Sequence, residues 1–278
     1  MKHESVAAAL LEAGGLKLSE NEPFILASRK IGPVYLDVRQ LTATPSGWSA
    51  TIDELVALIA KVGDFEVVSG GELADLFFSI PVALRLGKPH LAIRKVAKGY
   101  GAGGTGRLVG RIEKGQRVVH VSDLITSGTS ALDWVDTVRG SGGLIENYVA
   151  VFDRGQGGRE ALREKGVQLH SLLELDSEFL KFAAARGFLR EKGLESIRSY
   201  LHDSDGWARG YLRRRPEFLT GRIEAENGRL SRPEGLEVLT RGYPELIPEL
   251  GDVVRRKLRE LDLDERLLKS PGDSADGG

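Results

Sequence analysis

Residues 117–131 read Arg117-Val-Val-His-Val-Ser-Asp-Leu-Ile-Thr-Ser-Gly-Thr-Ser-Ala131. The β-branched apolar run predicts a buried strand that delivers one acid, Asp123, to its carboxyl end. Small hydroxyl residues and a glycine follow, and they open a helix. That order aims backbone N–H groups and the hydroxyls of Thr126, Ser127, Thr129 and Ser130 into one concavity at a helix N-terminus, with Gly128 letting the backbone come close. On physical grounds this is a phosphate cradle. The same run would also serve as a hydroxyl-rich helix cap. The Gly-Lys-Ser/Thr spacing of a nucleotide P-loop is absent, which removes the main rival phosphate loop. An acid beside an anion site would repel it unless the carboxylate faces something else, such as sugar hydroxyls or a divalent ion.

Outward from this stretch the pattern is regular. Strand-like segments at 65–69, 90–94, 117–121, 147–152 and 167–172 alternate with helical ones ending near Gly87, Arg139 and Lys165. Such alternation predicts βαβ units and a doubly wound, mostly parallel α/β sheet. Ligands in such sheets sit beyond the carboxyl ends of the strands. Upstream, residues 6–14 read as a short helix, and 24–39 as a hairpin turning at Gly32-Pro33. A helix is expected over 51–60 with Thr51 as its N-cap. Charge-rich helical segments are expected at 178–186, 194–201 and 252–261. The domain reading is therefore 1–175, with a small N-terminal hood over about 1–50, then a helical appendage over 176–269. The polar, Gly-rich tail 270–278 is expected to be disordered.

Composition sets the limits. The chain has 278 residues with 41% hydrophobic and 28% charged content, enough for a real core. Lys plus Arg is 39 against 40 for Asp plus Glu, a net charge of −1 that argues against a dedicated nucleic-acid binder. The Arg213-Arg-Arg215 run is the one hint of such binding, and it reads more simply as a solvated face. With no cysteine, disulfides, thiolate nucleophiles and Cys-ligated zinc are excluded. No signal-peptide core or membrane-length apolar run is present, so a cytoplasmic protein is expected. His120, inside an apolar strand, reads as a satisfied core residue. Residues 94–110 carry four cations and six glycines. A segment so rich in glycine costs much entropy to order, and it suits a lid that closes over an anion.

The segment Val118-Val-His-Val121, Ser122-Asp123, Leu124-Ile125, Thr126-Ser-Gly-Thr-Ser130 resembles the phosphoribosyl pyrophosphate (PRPP) motif of type I phosphoribosyltransferases. Arg94-Lys-x-x-Lys98, then x-x-Gly-x-Gly-Gly and Leu108-Val-Gly110, resembles the catalytic loop of bacterial orotate phosphoribosyltransferases. The resemblance covers about residues 20–173. It implies that Asp123 and Ser122 hold the ribose hydroxyls, Ser122 standing where the family has a first acid. Thr126–Ser130 would cradle the 5-phosphate, and Arg94, Lys95 and Lys98 would clamp the leaving pyrophosphate. Tyr100 stands at the loop histidine's place and can hydrogen-bond the pyrophosphate without becoming cationic. Ser69-Gly70-Gly71-Glu72 lies where the family has a small-residue turn at the pyrophosphate end, and is expected to open a helix. Arg154, in Phe152-Asp-Arg-Gly, matches an arginine that contacts orotate. Tyr35 matches an aromatic of the hood, whose lysine is Ala27 here.

The implied reaction is Mg²⁺-dependent transfer of ribose 5-phosphate from PRPP to orotate by a homodimer, with the metal meeting Asp123 only indirectly through bound PRPP. A non-catalytic PRPP-binding module, or a transferase for another base, stays open at this point.

Overall fold

The computed structural model describes residues 1–19, 21–26, 28–98, 106–227 and 229–268. The chain divides into two compact units, one of Met1–Leu16 with Leu36–Phe188, the other of Lys17–Tyr35 with the described residues from Leu189 onward.

The first unit holds a six-stranded sheet built from β1 (Val67–Gly71), β2 (His90–Lys98), β3 (Gly106–Val109), β4 (Arg117–Ile125), β5 (Leu144–Asp153) and β6 (Gln168–Glu174). The order across it is β6-β5-β4-β1-β2-β3, parallel throughout except for the antiparallel edge strand β3. This is the doubly wound, mostly parallel sheet that the alternation predicts. Residues 118–122 of β4 are buried without a break, as a strand covered on both faces requires.

The helices are α1 (Glu4–Glu12), α2 (Pro45–Ile59), α3 (Leu76–Leu86), α4 (Thr129–Gly140), α5 (Gly158–Glu164) and α6 (Ser177–Ala185). In α4 the buried residues Ala131, Trp134, Val135 and Val138 recur at helical spacing and face the sheet. Each large side chain so buried contributes roughly 1.5–3 kcal/mol.

Three local expectations need correction. The helix expected at Thr51 begins at Pro45, a residue suited to a first turn because its missing N–H has no partner there anyway. Thr51 lies buried inside that helix, where its hydroxyl donates to the Gly47 carbonyl at 2.8 Å. The strand expected to stop at Arg94 continues to Lys98, because Ala92, Ile93 and Lys98 pair with Val109, Leu108 and Gly106. Arg94, Lys95 and Lys98 therefore stand on a strand, and residues 99–105, with Tyr100, lie outside the described residues. Third, the hairpin does not turn at Gly32-Pro33, because the Leu26 N–H already donates to the Lys30 carbonyl at 2.8 Å. Phe24 pairs with Gly32 and Ile25 with Ile31, and Arg29 takes a left-handed φ of 64°.

At the start of β2, His90 is half-buried and bonds the Ser79 hydroxyl at 2.9 Å. Burial, with the nearby His120, pushes its pKa down to about 4. A folded-state value below the unfolded one means the unfolded chain takes up the proton first, so stability is lost as pH falls from about 6.5 toward 4. Allowing for its partial exposure, the loss is about 1–2 kcal/mol. His90→Gln keeps the hydrogen bond and should remove this slope. Urea melts of parent and variant at pH 7 and pH 5 check it, and equal slopes would refute the assignment.

The second unit is built from α7 (Glu191–His202), α8 (Ser204–Arg214), an antiparallel pair Glu224–Glu226 with Arg229–Arg232, and α9 (Ile247–Glu260). Ile31 is part of the same buried cluster as Leu212, Phe218, Leu236, Val254 and Leu258. Its N–H donates to the Tyr243 hydroxyl at 3.1 Å. Gly32 lies against the Tyr200 ring, and Gly242 lies against the Arg29 carbonyl. Residues 17–35 therefore group with the C-terminal part of the chain rather than with residues 36–175. The boundary also moves, from 175 to 188. Asp176 caps α6 by accepting the Phe179 N–H at 2.8 Å, and the Phe179 ring packs edge-on against Phe152 of β5 at 5.1 Å. Arg213 forms a two-pronged pair with Glu249 at 2.7 and 2.8 Å, and Arg215 pairs with Glu217. The arginine run is thus an ion-paired face.

Among the described residues no helix is long and apolar enough to cross a membrane.

Candidate active site

Asp123 lies half-buried near the carboxyl end of β4, where its Oδ1 accepts the Leu124 N–H at 2.7 Å. Burial, then the adjacent carboxylate of Asp75, raises its pKa well above the ordinary aspartate value. After Ile125 the chain turns through Thr126 and the exposed Ser127 to Gly128, whose φ of 85° is left-handed and favours glycine. A Cβ at Gly128 would also press on Ala161 and Gly158 at 3.2 Å, and the Gly158 N–H donates to the Thr126 carbonyl at 2.9 Å. The start of α5 thus backs the turn.

No side chain caps α4. Ser127 and Thr129 bond each other at 3.1 Å, and Thr129 and Ser130 are exposed. A hydroxyl-rich cap would have spent these groups on the helix. With no side-chain cap the first-turn amides lack a partner within the helix, and Ser127, Thr129 and Ser130 are exposed beside them, the combination an anion site requires.

Behind Asp123 lies a buried polar network that sequence reasoning missed. Asp75, just before α3, is 6% exposed and accepts four hydrogen bonds. Its Oδ1 takes the Ser122 hydroxyl at 2.8 Å and the Asp123 N–H at 3.1 Å. Its Oδ2 takes the Gly71 N–H at 2.9 Å and His120 Nε2 at 3.2 Å. Burial alone would raise its pKa, but the His120 hydrogen bond and charge, with the Ser122 hydroxyl and the Asp123 amide, hold it below the ordinary value. His120 Nδ1 bonds the Ser69 hydroxyl at 2.9 Å, and its ring stacks on Tyr148 at 4.6 Å. The Ser69–His120–Asp75 string has the order of a hydrolytic triad. Ser69 and His120 are both fully buried, so no substrate reaches the hydroxyl, and His120 is the satisfied core histidine expected.

Gly70 and Gly71 close β1 and do not open a helix, because α3 starts only at Leu76. The Gly71 amide is spent on Asp75. Both positions are tightly packed. A Cβ on Gly70 would fall 2.1 Å from the Ser79 hydroxyl, and one on Gly71 2.4–2.7 Å from the Trp134 indole. Next to them Glu72 accepts the Lys95 N–H at 2.6 Å.

On the neighbouring hairpin Arg107, also overlooked, donates Nε–H to the Arg94 carbonyl at 2.8 Å and grips Asp133 of α4 with both terminal nitrogens. Its guanidinium lies over the Trp134 ring. The base of the 94–110 hairpin is thereby fixed to the helix that carries the anion turn.

Arg154 follows β5, is 5% exposed, and donates its backbone N–H to the Ile125 carbonyl at 3.0 Å. In the first unit, then, Asp123, Ser122, Thr126–Ser130, Gly70, Gly71 and Arg154 gather at the carboxyl ends of the central strands. Arg94 and Lys95 stand on the adjoining strand. Ser122 is 3% exposed with its hydroxyl turned to Asp75. Lys98 pairs through its backbone with Gly106, its side chain being outside what is described. Tyr35 belongs to the second unit, its ring 5.7 Å from Phe24. Tyr100 and Ala27 lie outside the described residues.

No protein-family model matches the chain. Curated relatives do. The orotate phosphoribosyltransferase of Sinorhizobium fredii is 33% identical over 210 residues, covering 74% of this chain and 89% of that one. That of Methanopyrus kandleri is 35% identical over 176 residues, 63% of this chain and 91% of its own. The crystal structure of orotate phosphoribosyltransferase from Aeropyrum pernix superposes with a TM-score of 0.56 at 28% identity, covering 66% of this chain and 99% of that chain. The chain is thus matched at 33% and 35% identity by curated relatives over nearly their whole length, in a fold shared with a solved structure of the same name, and it belongs to the orotate phosphoribosyltransferase family.

Proposed function

We propose that the protein transfers ribose 5-phosphate from PRPP to orotate, giving orotidine 5′-monophosphate and pyrophosphate, a step of pyrimidine biosynthesis. The observation that carries this reading is the uncapped N-terminus of α4, with its exposed hydroxyl residues, directly after Asp123. The Asp123 carboxylate accepts the ribose hydroxyls, while the amides and hydroxyls of Thr126, Ser127, Gly128, Thr129 and Ser130 hold the 5-phosphate. The cations of Arg94, Lys95 and Lys98 would stabilise the charge that builds as the C1–oxygen bond to pyrophosphate breaks, and the resemblance gives Tyr100 a hydrogen bond to the same group. The end of β1 at Gly70 and Gly71 would lie at the pyrophosphate end. Arg154 offers a planar donor fork to the orotate anion, and the resemblance gives Tyr35 the part of the hood aromatic.

The new bond forms between C1 and a ring nitrogen that arrives already deprotonated, so no general base is needed. Catalysis is then mainly positioning and charge stabilisation.

Among the described residues no group of three His, Asp or Glu could hold a metal. Magnesium commonly takes one or two carboxylates plus substrate phosphates, and a site with Asp123 beside a phosphate cradle fits that pattern. The ion would be held chiefly by PRPP, with Asp123 near it only through the ribose, and it would neutralise pyrophosphate charge.

A homodimer is part of the proposal. Phe77, Ile80 and Leu84 form an exposed apolar stripe on α3, with exposed Leu73 just before the helix. Sedimentation equilibrium of the full chain tests this, and a monomer at tens of micromolar rejects it. Cytoplasmic action belongs to the same reading and is checked by cell fractionation.

The test of function is a mixture of the purified chain with PRPP, Mg²⁺ and a panel of bases, followed for pyrophosphate release. Release with orotate is the expected result. PRPP binding without release under any base would overturn the enzyme and leave a sensor, and release with a purine alone would overturn the substrate.

A further inference from the structure

Asp75 is a buried carboxylate with an unusual set of donors. Two come from the end of β4 (Ser122 and Asp123), one from the middle of that strand (His120) and one from the end of β1 (Gly71). A charge taken out of water costs several kcal/mol unless every lone pair is answered. Here all the answering groups belong to two segments that the proposed function places on PRPP, one at its ribose and the other at its pyrophosphate.

We propose that Asp75 is the positioning residue of the PRPP site, locking the Gly70–Gly71 end of β1 and the Asp123 strand end in the register that one donor molecule spans. The inference rests on the reading of the chain as a PRPP-using transferase. Asp75 does not touch the ligand. It holds Asp123 by its amide, and the Asp75 carboxylate lies within hydrogen-bonding reach of the Asp123 carboxyl, so backbone and side chain of Asp123 are both set by Asp75. It also holds Gly71 by its amide, so the end of β1 cannot drift from β4.

The distances make a second, sharper statement. The Ser122 hydroxyl lies 2.8 Å from Asp75 Oδ1. A carboxylate built at 122 would reach almost the spot that Oδ1 now fills, so one negative charge fits there and two do not. Ser122→Asp on its own should therefore damage the site. In combination with Asp75→Asn it should repair it, because the side-chain amide that Asp75→Asn introduces can donate an N–H to the new carboxylate.

The experiment measures PRPP affinity by calorimetry, and the steady-state constants for PRPP and orotate, on the full-length parent and three variants. For Asp75→Asn the PRPP Kd and KM rise about tenfold, the loss of one charge-assisted hydrogen bond, while the orotate KM stays unchanged. Ser122→Asp weakens PRPP by a similar factor. The double variant Asp75→Asn/Ser122→Asp returns to within about threefold of the parent.

A merely structural Asp75 would lower the melting temperature without separating the two KM values, and the double variant would be worse than either single one. Either result overturns the proposal, as does unchanged PRPP affinity in Asp75→Asn. If Asp75→Asn does not fold, the decision passes to Ser122→Asp and the double variant. A double variant that folds and binds PRPP supports the proposal, and one weaker than Ser122→Asp overturns it. A parent that fails to bind PRPP sinks the functional reading itself, and this inference with it.

Discussion

Asp123→Asn is expected to lower kcat/KM for PRPP about 100- to 1000-fold and at the same time to raise the melting temperature at pH 7. The first effect follows from charge. Asparagine keeps the size and one acceptor but gives up the charge-assisted hydrogen bonds to two ribose hydroxyls, each worth about 1.5–3 kcal/mol. The second follows from surroundings. Burial and the ionised Asp75 disfavour the Asp123 carboxylate and hold its pKa above the ordinary value. A carboxylate whose folded-state pKa is raised costs stability above that pKa, and the cost vanishes below the unfolded value near 4. The variant should therefore melt above the parent at pH 7 and level with it near pH 4. Unchanged kcat/KM would remove Asp123 from the ribose site, and a lower melting temperature at pH 7 would contradict the electrostatics. A functional group that weakens its own fold is a familiar mark of an active site.

Gly71→Ala carries the other large effect, here on packing. The new methyl would lie 2.4–2.7 Å from three atoms of the Trp134 indole, a side chain only 4% exposed and wedged against the sheet. Overpacking of this kind costs about 1–3 kcal/mol, which in a unit of this size lowers the melting temperature by roughly 2–12 °C. The damage should also reach function, because the Gly71 amide is one of the four donors to Asp75. PRPP affinity should fall together with stability. Trp134→Phe, with a smaller ring, should restore part of both when combined with Gly71→Ala. A variant as stable as the parent would show that the indole has room to move.

The central strand and its turn are legible because their information is local. An apolar run, an acid and a hydroxyl cluster follow one another between 118 and 130, and the sheet type follows from the alternation around them. The start of α2 is hidden because Pro45 and Gly47 resemble breaks, although proline at a first turn is harmless. The 94–110 segment reads as loop because its glycines conceal the Leu108-Val109 pairing that makes it a hairpin. Asp75 is invisible for a different reason. Three of its four donors lie 45 to 48 residues further along the chain. In sequence it is one acid before an apolar helix. Arg107 likewise acquires its role only when α4 brings Asp133 beside it.

The grouping of residues 17–35 with the C-terminal helices has a consequence for how the chain is made. More than 150 residues separate Tyr35 from Leu189, where the rest of that unit resumes. At ribosomal speeds of about 5–20 residues per second, the early segment waits roughly 8–30 s before its packing partners leave the exit tunnel. The sheet between them can complete itself in that interval. A nascent chain whose residues up to 188 have cleared the tunnel while the later ones have not would hold a finished sheet and a stranded hydrophobic ribbon, the species a holdase chaperone is suited to capture.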